Sequence, residues 1–531
     1  MSVARWTPRA ETTKQEERRL KSLAKTRKLL VFLRLHRTQL FDEGFQAELS
    51  SMYRDTGEGM APVPPALLAM TVLLQGYEGV GDARAIERTW SDKGWQMVLD
   101  VDGEEPAFGQ GTLSAFRERL IAHDMDRRLL ERTVELAKET GAFDWKKLPK
   151  TLRLAVDSRP LTGAGRVEDT FNLIAHAARK LLASAAALAG HEAAVMAKKT
   201  GAPLLASGSV KANLDIEWSD GAQKAAALGK LLEQVQSLEE WVREHLAEQA
   251  ERPPLSEHLA TLKRVREQDL EPDPSDPSGQ KRRIREGVAE DRRISIEEPA
   301  MRHGRKSKSR TINGYKSHLG MDLDTQLVLA CAVTPANRPE AEALEPIATD
   351  VGRYAERTEV AELYIDRGYL AAEQTHQLAA NDTEIVCKPW SPANGSLFSK
   401  NDFLINLRRK QITCPAGHTE PLSLGTTVQF DSATCATCPL RDKCTTSTHG
   451  RGRMVRIAAD EPLLQELRKK ARTPAGRRRL RRRVAIEHRL AHLSRKQGPR
   501  ARYKGVRKNL MDLRRHSAVI NLERIQLENA A

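Results

Sequence analysis

Three acidic residues that lie far apart in the chain, Asp157, Asp366 and Glu487, have the type and setting needed to bind divalent cations. Asp157 follows the apolar run LRLAV, and Asp366 follows the short run ELYI. A carboxylate beside an apolar core costs free energy unless a positive group meets it, and a divalent cation is the usual partner where carboxylates converge. Two acids at neighbouring strand ends can hold a pair of Mg²⁺ ions, which activate an attacking oxygen and stabilise a leaving one in phosphodiester displacement.

Glu487 is the candidate for the third acid, because it is the only acidic residue between Arg468 and Met511. The sequence predicts a helix over 477–495 that carries it. Four apolar residues of this helix can face inward: Val484, Ile486, Leu490 and Leu493. Two of these acids also have a simpler explanation. Asp157 could cap the Ser-Arg-Pro turn that we predict after it, and Glu487 could be an ion-pair partner of the nearby arginines.

The elements around these acids predict an α/β fold. Alternating apolar residues predict a strand over 152–156 that ends at Asp157. The elements of the second half are predicted in this order: strands 315–323 and 326–333 joined by the turn 322–325, helix 341–354, strand 362–365, helix 371–380 and strand 384–387. This is the element order of an RNase H-like core. The first and fourth strands of that core are neighbours, so Asp157 and Asp366 are expected side by side.

The distribution of charge predicts a nucleic-acid partner. The chain has 531 residues, enough for several domains, and a formal net charge of +15. Residues 468–515 contain 20 Lys or Arg against Glu487 and Asp512, a local net charge of +18, so the rest of the chain carries −3. A stretch this basic favours binding to polyphosphate, and a solvated charged helix is the alternative.

No segment has the pattern of an export signal or a membrane span. The first 19 residues lack the apolar centre of a secretion signal. The most apolar later run, 181–197, is interrupted by His191 and Glu192. We therefore expect a cytoplasmic, nucleoid-associated protein.

Two regions are predicted to be helical. Short helices near 28–40, 67–74 and 83–90, and another capped by Thr112 or Ser114, suit a helix-turn-helix DNA reader and any small bundle equally well. Between 168 and 250 the clearest helix has an apolar stripe, which we interpret as packing surface. The stripe consists of Leu228, Leu231, Leu232, Val235, Leu238, Trp241, Val242 and Leu246. The Pro/Ser/Asp segment 271–280 is predicted to be a linker that closes this insertion between two strands of one sheet.

Four of the six cysteines lie close together in the sequence. In a reducing compartment this grouping favours metal over disulfides. The four thiols could supply a structural Zn²⁺ site, with His418 as a substitute ligand: Cys414, Cys435, Cys438 and Cys444. Four small buried residues are the alternative, because only one close Cys-x-x-Cys pair is present. The other two cysteines, Cys331 and Cys387, are expected in the core.

Basic residues before the predicted hairpin are expected to contact phosphate, with a solvated loop as the alternative. They are Arg305, Lys306, Lys308 and Arg310. Trp390, which follows the last predicted strand, could stack on a flipped base or could pack against the core.

Four sequence blocks occur in a fixed order: AVDSRPLTGAG, GRKSKSRTINGYKSHLGMDLDTQLVLACAVTPAN, LYIDRGY and RRRVAIEHRLAHLSRKQGPRARYKGVRKNLMDLRRHSAVINLERI. Together they resemble bacterial insertion-sequence transposases of the DDE type, in the RNase H-like retroviral-integrase superfamily. The run from MTVLLQGYEGVGDARAIERTW to TLSAFRERL is similar to the helical N-terminal domain of such transposases. The resemblance implies an RNase H-like fold, Mg²⁺ or Mn²⁺ as cofactor, and cut-and-paste chemistry on terminal inverted repeats by a homodimer on double-stranded DNA. By match, Asp157, Asp366 and Glu487 are the metal-binding triad.

Many members of this family carry Tyr, Arg, Glu and Lys around the helix of the third acid. The corresponding residues here are Leu480, Arg483, Glu487 and Ser494. Arg483 and Glu487 match, which implies a phosphate-facing role for Arg483. Leu480 and Ser494 depart from the pattern, so the sequence gives no support for a DNA hairpin intermediate. Further DNA contacts are predicted in the basic stretch: Arg495, adjacent Lys496, Arg502 and Lys504.

We predict six segments: an all-α N-terminal domain that binds terminal-repeat DNA (1–148), the first catalytic strand (149–167), a helical insertion (168–295), an RNase H-like core (296–390), a cysteine-containing insertion (391–465) and C-terminal basic helices that carry Glu487 (466–531). Two alternatives to a transposase stay open. One is a metal-dependent nuclease without strand transfer. The other is a transposase-derived DNA-binding protein, which would tolerate loss of the acids.

Overall fold

The computed structural model describes residues 4–54, 62–206, 208–305, 310–354, 357–447 and 450–530. It is a mixed α/β structure in which one six-stranded sheet is surrounded by helices. Within these ranges, no helix has both the length and the apolar character needed to cross a bilayer.

The N-terminal region is entirely helical within the described ranges. Its helices are α1 (Lys14–Thr26), α2 (Lys28–Leu40), α3 (Glu43–Ser50), α4 (Pro65–Glu78), α5 (Asp82–Ser91), α6 (Lys93–Leu99), α7 (Gln110–Ala122) and α8 (Met125–Glu139). A capping box between Thr13 and Glu16 starts α1. The prediction for 28–40 is confirmed by α2. The predicted helix cap at Thr112 or Ser114 is wrong, because α7 begins at Gln110 and its N-cap residue is Gly109.

A helical insertion follows β1 (Leu152–Thr162) and has a hydrophobic core of its own. It contains α9 (Thr170–Leu188), α10 (Ala193–Lys199), a 3-10 turn (Pro203–Ala206), α11 (Val210–Asn213), α12 (Gly221–His245), α13 (Ala247–Ala250), α14 (Leu255–Asp269) and the short hairpin β2 (Leu270–Pro272) and β3 (Arg282–Ile284). The predicted stripe lies on α12 and its centre is buried. This confirms that the stripe is packing surface.

The second half contributes the rest of the main sheet. Its elements are β4 (Arg302–Arg305), β5 (Thr311–Asp322), β6 (Val328–Pro335), a 3-10 turn (Glu340–Ala343), α15 (Leu344–Val351), β7 (Val360–Ile365), a 3-10 turn (Arg367–Tyr369), α16 (Glu373–Ala380) and β8 (Glu384–Val386). The strand order is β6-β5-β1-β7-β8, and β4 pairs with the start of β5. The hairpin β5–β6 is antiparallel as predicted. Because β1 runs antiparallel to β5 and parallel to β7, it is the central strand.

The cysteine-containing region forms small sheets around a third hydrophobic core. Its elements are a 3-10 turn (Lys400–Asp402), β9 (Leu404–Asn406), β10 (Gln411–Thr413), β11 (Thr419–Pro421), β12 (Thr427–Gln429), α17 (Ser432–Ala436), α18 (Arg441–Cys444) and β13 (Met454–Arg456). Phe403, Ile412 and Phe430 are buried at its centre. This region therefore packs mainly on itself.

The C-terminal region ends the chain with four helices: α19 (Glu461–Arg472), α20 (Pro474–Arg481), α21 (Val484–Gln497) and α22 (Val506–Asn529). The single helix predicted over 477–495 is wrong. Backbone hydrogen bonds to the third preceding residue tighten the chain between α20 and α21, as at Ile486, whose N–H donates to Arg483 at 3.1 Å. Helix α22 packs against β6, α4 and α8, so it joins the sheet to the N-terminal helices.

Two fully buried histidines make the fold sensitive to acid. His318 on β5 lies 2.7 Å from the hydroxyl of Tyr369 and 2.9 Å from that of Thr334, and burial lowers its pKa to about 3. Burial also lowers the pKa of His516 on α22 to about 4, although Asp512 opposes the shift. Both rings therefore stay neutral in the folded protein at pH values where the unfolded chain binds protons.

We expect the free energy of unfolding to decrease as the pH falls from about 6.5 towards 4, by up to about 1.4 kcal/mol per pH unit for each buried histidine. Urea unfolding at several pH values measures this slope. His318→Gln should make the slope shallower, and the same substitution at exposed His123 should leave it unchanged. An unchanged slope in His318→Gln would contradict this explanation.

Candidate active site

The register of the central strands places Asp157 and Asp366 side by side. The parallel pairing of β1 with β7 ends at Val156 opposite Ile365. Each aspartate is the next residue after this last pair, so both carboxylates leave the sheet at the same edge. The main-chain N–H of the following residue donates to each of them at 2.8 Å, from Ser158 to Asp157 and from Arg367 to Asp366.

The predicted end of the first strand at Asp157 is wrong. Strand β1 continues to Thr162, and Asp157 to Thr162 pair with Leu319 to Gly314 of β5. The predicted Ser-Arg-Pro turn is therefore part of a strand. On its other side β1 loses its partner after Val156, because β7 ends there, and it is bridged again only at Thr162, to Arg500. The gap between these two points leaves room for side chains from elsewhere in the fold.

Helix α21 brings Glu487 to the same edge. Its apolar residues Ile486, Leu490 and Leu493 are buried, and the helix packs against β1 and α22. Arg159 fixes the far end of the helix to β1 by donating to Ser494 at 3.2 Å and to the carbonyl oxygen of Gly498 at 3.1 Å.

One guanidinium joins the three acids. The Nη1 atom of Arg483 lies 3.5 Å from Oδ2 of Asp157 and 3.8 Å from Oδ2 of Asp366, and its Nη2 atom lies 3.0 Å from Oε1 of Glu487. The structure thus brings together residues separated by more than 300 positions. Arg483 precedes the first residue of α21, at the tightened turn that the sequence did not predict.

Asp157 is the least exposed of the three acids, with 14% of its side chain accessible against 47% for Asp366 and 49% for Glu487. Burial raises the pKa of Asp157 to about 6, although Arg483 and the N–H of Ser158 lower it, while Asp366 and Glu340 add to the rise. One guanidinium therefore compensates only part of the cost of burying this carboxylate. Further positive charge at this edge would be favourable.

The three acids line a cavity of about 680 Å³ together with Glu340 and Lys316, which the sequence analysis missed. Glu340 accepts a hydrogen bond of 2.6 Å from the Ser158 hydroxyl. A Cβ atom at Gly368 would collide with the Glu340 carboxylate, so a larger residue there would displace this side chain. The acidic run PEAEA at 339–343, shortly after β6, is the sequence signal for Glu340.

Trp390 lies at the rim of the cavity and is 63% exposed. Its ring centroid lies 3.4 Å from the guanidinium carbon of Arg367. This exposure excludes a core position for Trp390. Its ring therefore presents an aromatic surface beside the three acids.

Two parts of the chain match known protein families. The family described as Transposase DDE domain matches residues 413–526, which include Arg483 and Glu487. The family described as Transposase domain (DUF772) matches residues 21–119, within the N-terminal helices. These two matches support a bacterial insertion-sequence DDE transposase. Comparison with curated proteins and with solved structures gave no match.

The six cysteines of the chain lie in two groups. Cys331 and Cys387 are buried, which confirms their predicted place in the core. The other four, with His418, line one cavity of about 190 Å³: Cys414, Cys435, Cys438 and Cys444. Across the described ranges, no three His, Cys, Asp or Glu side chains are arranged to hold one metal ion.

The basic stretch, residues 468–515, is not uniformly available to bind DNA. Several of its charges form ion pairs with acids far away in the sequence: Arg479 with Glu362 at 3.1 Å, Arg507 with Asp126 at 2.5 Å and Arg514 with Asp350 at 3.1 Å. The net charge of +18 therefore overstates the positive surface, because it counts residues whose partners lie outside the stretch.

The predicted DNA contacts have different settings. Arg305 lines the cavity that holds the three acids, Arg310 and Arg495 are exposed, and Lys306 and Lys308 lie outside the described residues. The remaining three make contacts within the chain: Lys496 with Glu523 at 2.7 Å, Lys504 with Glu297 at 3.0 Å, and Arg502 with the carbonyl oxygen of Val80 at 3.0 Å.

Proposed function

We propose that this transposase catalyses metal-dependent cleavage and strand transfer at the ends of an insertion sequence, with Asp157, Asp366 and Glu487 as the catalytic triad. The observation that carries the proposal is the convergence of these acids, from two strands and one helix, on the single guanidinium of Arg483. The strand order β6-β5-β1-β7-β8 supports assignment of the sheet to the RNase H-like fold.

The three acids supply the type of donor that Mg²⁺ or Mn²⁺ requires, although in the described residues they meet around the guanidinium of Arg483 and not at the spacing of one ion. Both are hard cations that prefer carboxylate oxygens, and the buried carboxylate of Asp157 is only partly compensated by Arg483. Asp157, Asp366 and Glu487 would hold the metal. When bound, it supplies Lewis-acid activation of the attacking oxygen and stabilisation of the leaving oxygen.

The chain's own groups bind and orient the DNA strand. Arg483, between the acids, presents guanidinium donors that suit a non-bridging phosphate oxygen. In the first step, water attacks the scissile phosphorus, and the bond to the 3′ oxygen breaks to leave a 3′-OH. In the second step, this 3′-OH attacks a phosphorus of target DNA and displaces another 3′ oxygen. Both steps are in-line displacements at one cavity, so one set of residues serves both.

We propose further that the N-terminal helices bind the terminal inverted repeats, that the active species is a homodimer on double-stranded DNA, and that the protein acts in the cytoplasm on the nucleoid. The family match over residues 21–119 supports a role of these helices in transposition. The boundaries of the six predicted segments remain predictions.

A joining assay separates a transposase from a nuclease on the same core. Pre-cut terminal-repeat DNA with a free 3′-OH is incubated with the protein, Mg²⁺ and a plasmid target. We expect products in which the repeat is covalently joined to the plasmid. Cleavage of uncut ends without joining would favour the nuclease, and DNA binding without either reaction would favour a DNA-binding protein derived from a transposase.

We also propose a structural Zn²⁺ in the cysteine-containing region. Four thiols line one cavity there, and thiolates are the ligands that structural zinc prefers. Elemental analysis of purified protein should give one zinc per chain, and Cys438→Ser should lose it. Cys387→Ser, at a buried cysteine outside this cavity, is the control. Zinc-free protein that folds normally would contradict the proposal.

A further inference from the structure

A second cavity, of about 790 Å³, lies beside the catalytic one. It is bounded by α20 and α21 and by the turn between β5 and β6. Ala491, one helical turn after Glu487, lines both cavities. The second cavity therefore begins where the catalytic cavity ends, on the neighbouring face of the same helix. We call it the basic cleft, after its lining arginines.

The basic cleft carries positive charge that the protein does not neutralise. Four lining arginines have no carboxylate within ion-pair distance in the described ranges: Arg481, Arg482, Arg489 and Arg495. The only acid in the lining, Asp324, pairs with Arg153 and also with Arg357 at 2.7 Å. This differs from Arg479, Arg507 and Arg514, whose charges are matched by acids.

Arg489 is the most informative of these residues, because it is only partly exposed. Its guanidinium donates to the side-chain oxygen of Gln326 at 3.2 Å, a neutral partner. A guanidinium is positively charged at neutral pH, so this side chain carries a full charge. A partly buried cation with a neutral partner is costly for the isolated chain, and an anion in the cleft would offset that cost.

We propose that the basic cleft binds the sugar-phosphate backbone of the DNA strand that continues from the catalytic cavity. The proposal rests on the proposed function, because the catalytic site fixes where the strand begins. From there the strand passes Ala491 and enters the cleft. Arginine forks match phosphate oxygens. The lining contains few apolar residues, chiefly Leu323 and alanines, and its only aromatic rings are the imidazoles of His488 and His492, with no Phe, Tyr or Trp on which bases would stack. The cleft therefore holds the backbone and does not read sequence.

The experiment measures the salt dependence of DNA affinity. Each phosphate contact contributes about 0.9 to the slope of log K against log salt concentration on duplex DNA. A variant with Arg481→Ala, Arg489→Gln and Arg495→Ala should therefore lower the slope by about 2.7 on terminal-repeat duplex that extends beyond the cleavage site. On a duplex that ends at the cleavage site, variant and wild type should have equal slopes.

The matched control removes three exposed cations from α12, with Lys224→Ala, Lys230→Ala and Arg243→Ala. Its net charge equals that of the cleft variant, so a general charge effect would lower both slopes equally and overturn the proposal. The variant with only Arg481→Ala and Arg495→Ala, both exposed, serves if Arg489→Gln unfolds the protein. It should lower the slope by about 1.8.

Binding does not require catalysis, so the two proposals can fail separately. An unchanged slope on the extended duplex, in a protein that still joins ends, would overturn the basic cleft alone. A lower slope in a protein that neither cleaves nor joins would overturn the proposed transposition chemistry and keep the cleft as a DNA-binding site.

Discussion

Asp157→Asn is expected to lower the rate of end cleavage by about a thousandfold or more while terminal-repeat binding stays unchanged. The substitution keeps the shape of the side chain and removes a charged ligand. A catalytic metal supplies several kcal/mol of transition-state stabilisation, and each 1.36 kcal/mol is a factor of ten in rate. Single-turnover cleavage of labelled end DNA, with binding measured in parallel, gives both quantities. Asp366→Asn and Glu487→Gln should behave alike.

The control is Asp382→Asn, the same change at an exposed residue with positive φ, a conformation that asparagine also adopts. It should leave cleavage and binding as in the wild type. Cleavage that survives Glu487→Gln would mean that Glu487 is not the third acid, and Glu340 in the same cavity would replace it as the candidate.

Arg514→Met is expected to reduce the free energy of unfolding by about 3–5 kcal/mol. Arg514 on α22 is almost fully buried and pairs with Asp124 at 2.7 Å, Asp126 at 3.3 Å and Asp350 at 3.1 Å. Burial raises the pKa of Asp350 even with this partner present. Removal of the guanidinium takes this positive partner away from three carboxylates, two of which are buried. These carboxylates lie where the N-terminal helices meet the sheet, so the loss should weaken that contact. Urea unfolding followed by circular dichroism measures the loss.

Arg524→Met on the same helix is the matched control. Arg524 forms an ion pair of 2.5 Å with Glu528 near the surface, so its replacement should cost less than about 1 kcal/mol. Equal losses in the two variants would show that the buried pairs do not hold α22 against the N-terminal helices.

Local sequence patterns were sufficient to predict the strands that carry Asp157 and Asp366. The alternation of Leu152, Leu154 and Val156 and the short run before Asp366 predicted two strands that the structure contains. The pairing of these strands followed from element order alone. The continuation of β1 to Thr162 could not be predicted, because Pro160 and the following glycines are typical of turns. The pairing with β5 that overrides this local preference comes from a segment more than 150 residues away.

Tertiary contacts explain the other differences. Residues 481–483 are three arginines with no helix-breaking residue, so the local sequence gives no signal for the turn before α21. The ion pairs of Arg483 with Asp157 and Asp366 appear only in the folded chain. In the same way, the acids that neutralise Arg507 and Arg514 lie in α8, just before it and, for Asp350, in α15, too far along the sequence to be recognised as partners from local patterns.

The central claim is that acids from three separate elements hold one metal centre, and metal-directed backbone cleavage tests it most directly. Fe²⁺ replaces Mg²⁺ in the protein, and peroxide with ascorbate generates radicals that cut the chain next to the bound metal. The fragments are mapped by mass spectrometry. We predict cuts beside Asp157, Asp366 and Glu487, all of which disappear together in Asp157→Asn and under excess Mg²⁺. Cuts at only one of these positions, or cuts that persist at the other two in Asp157→Asn, would contradict a shared site.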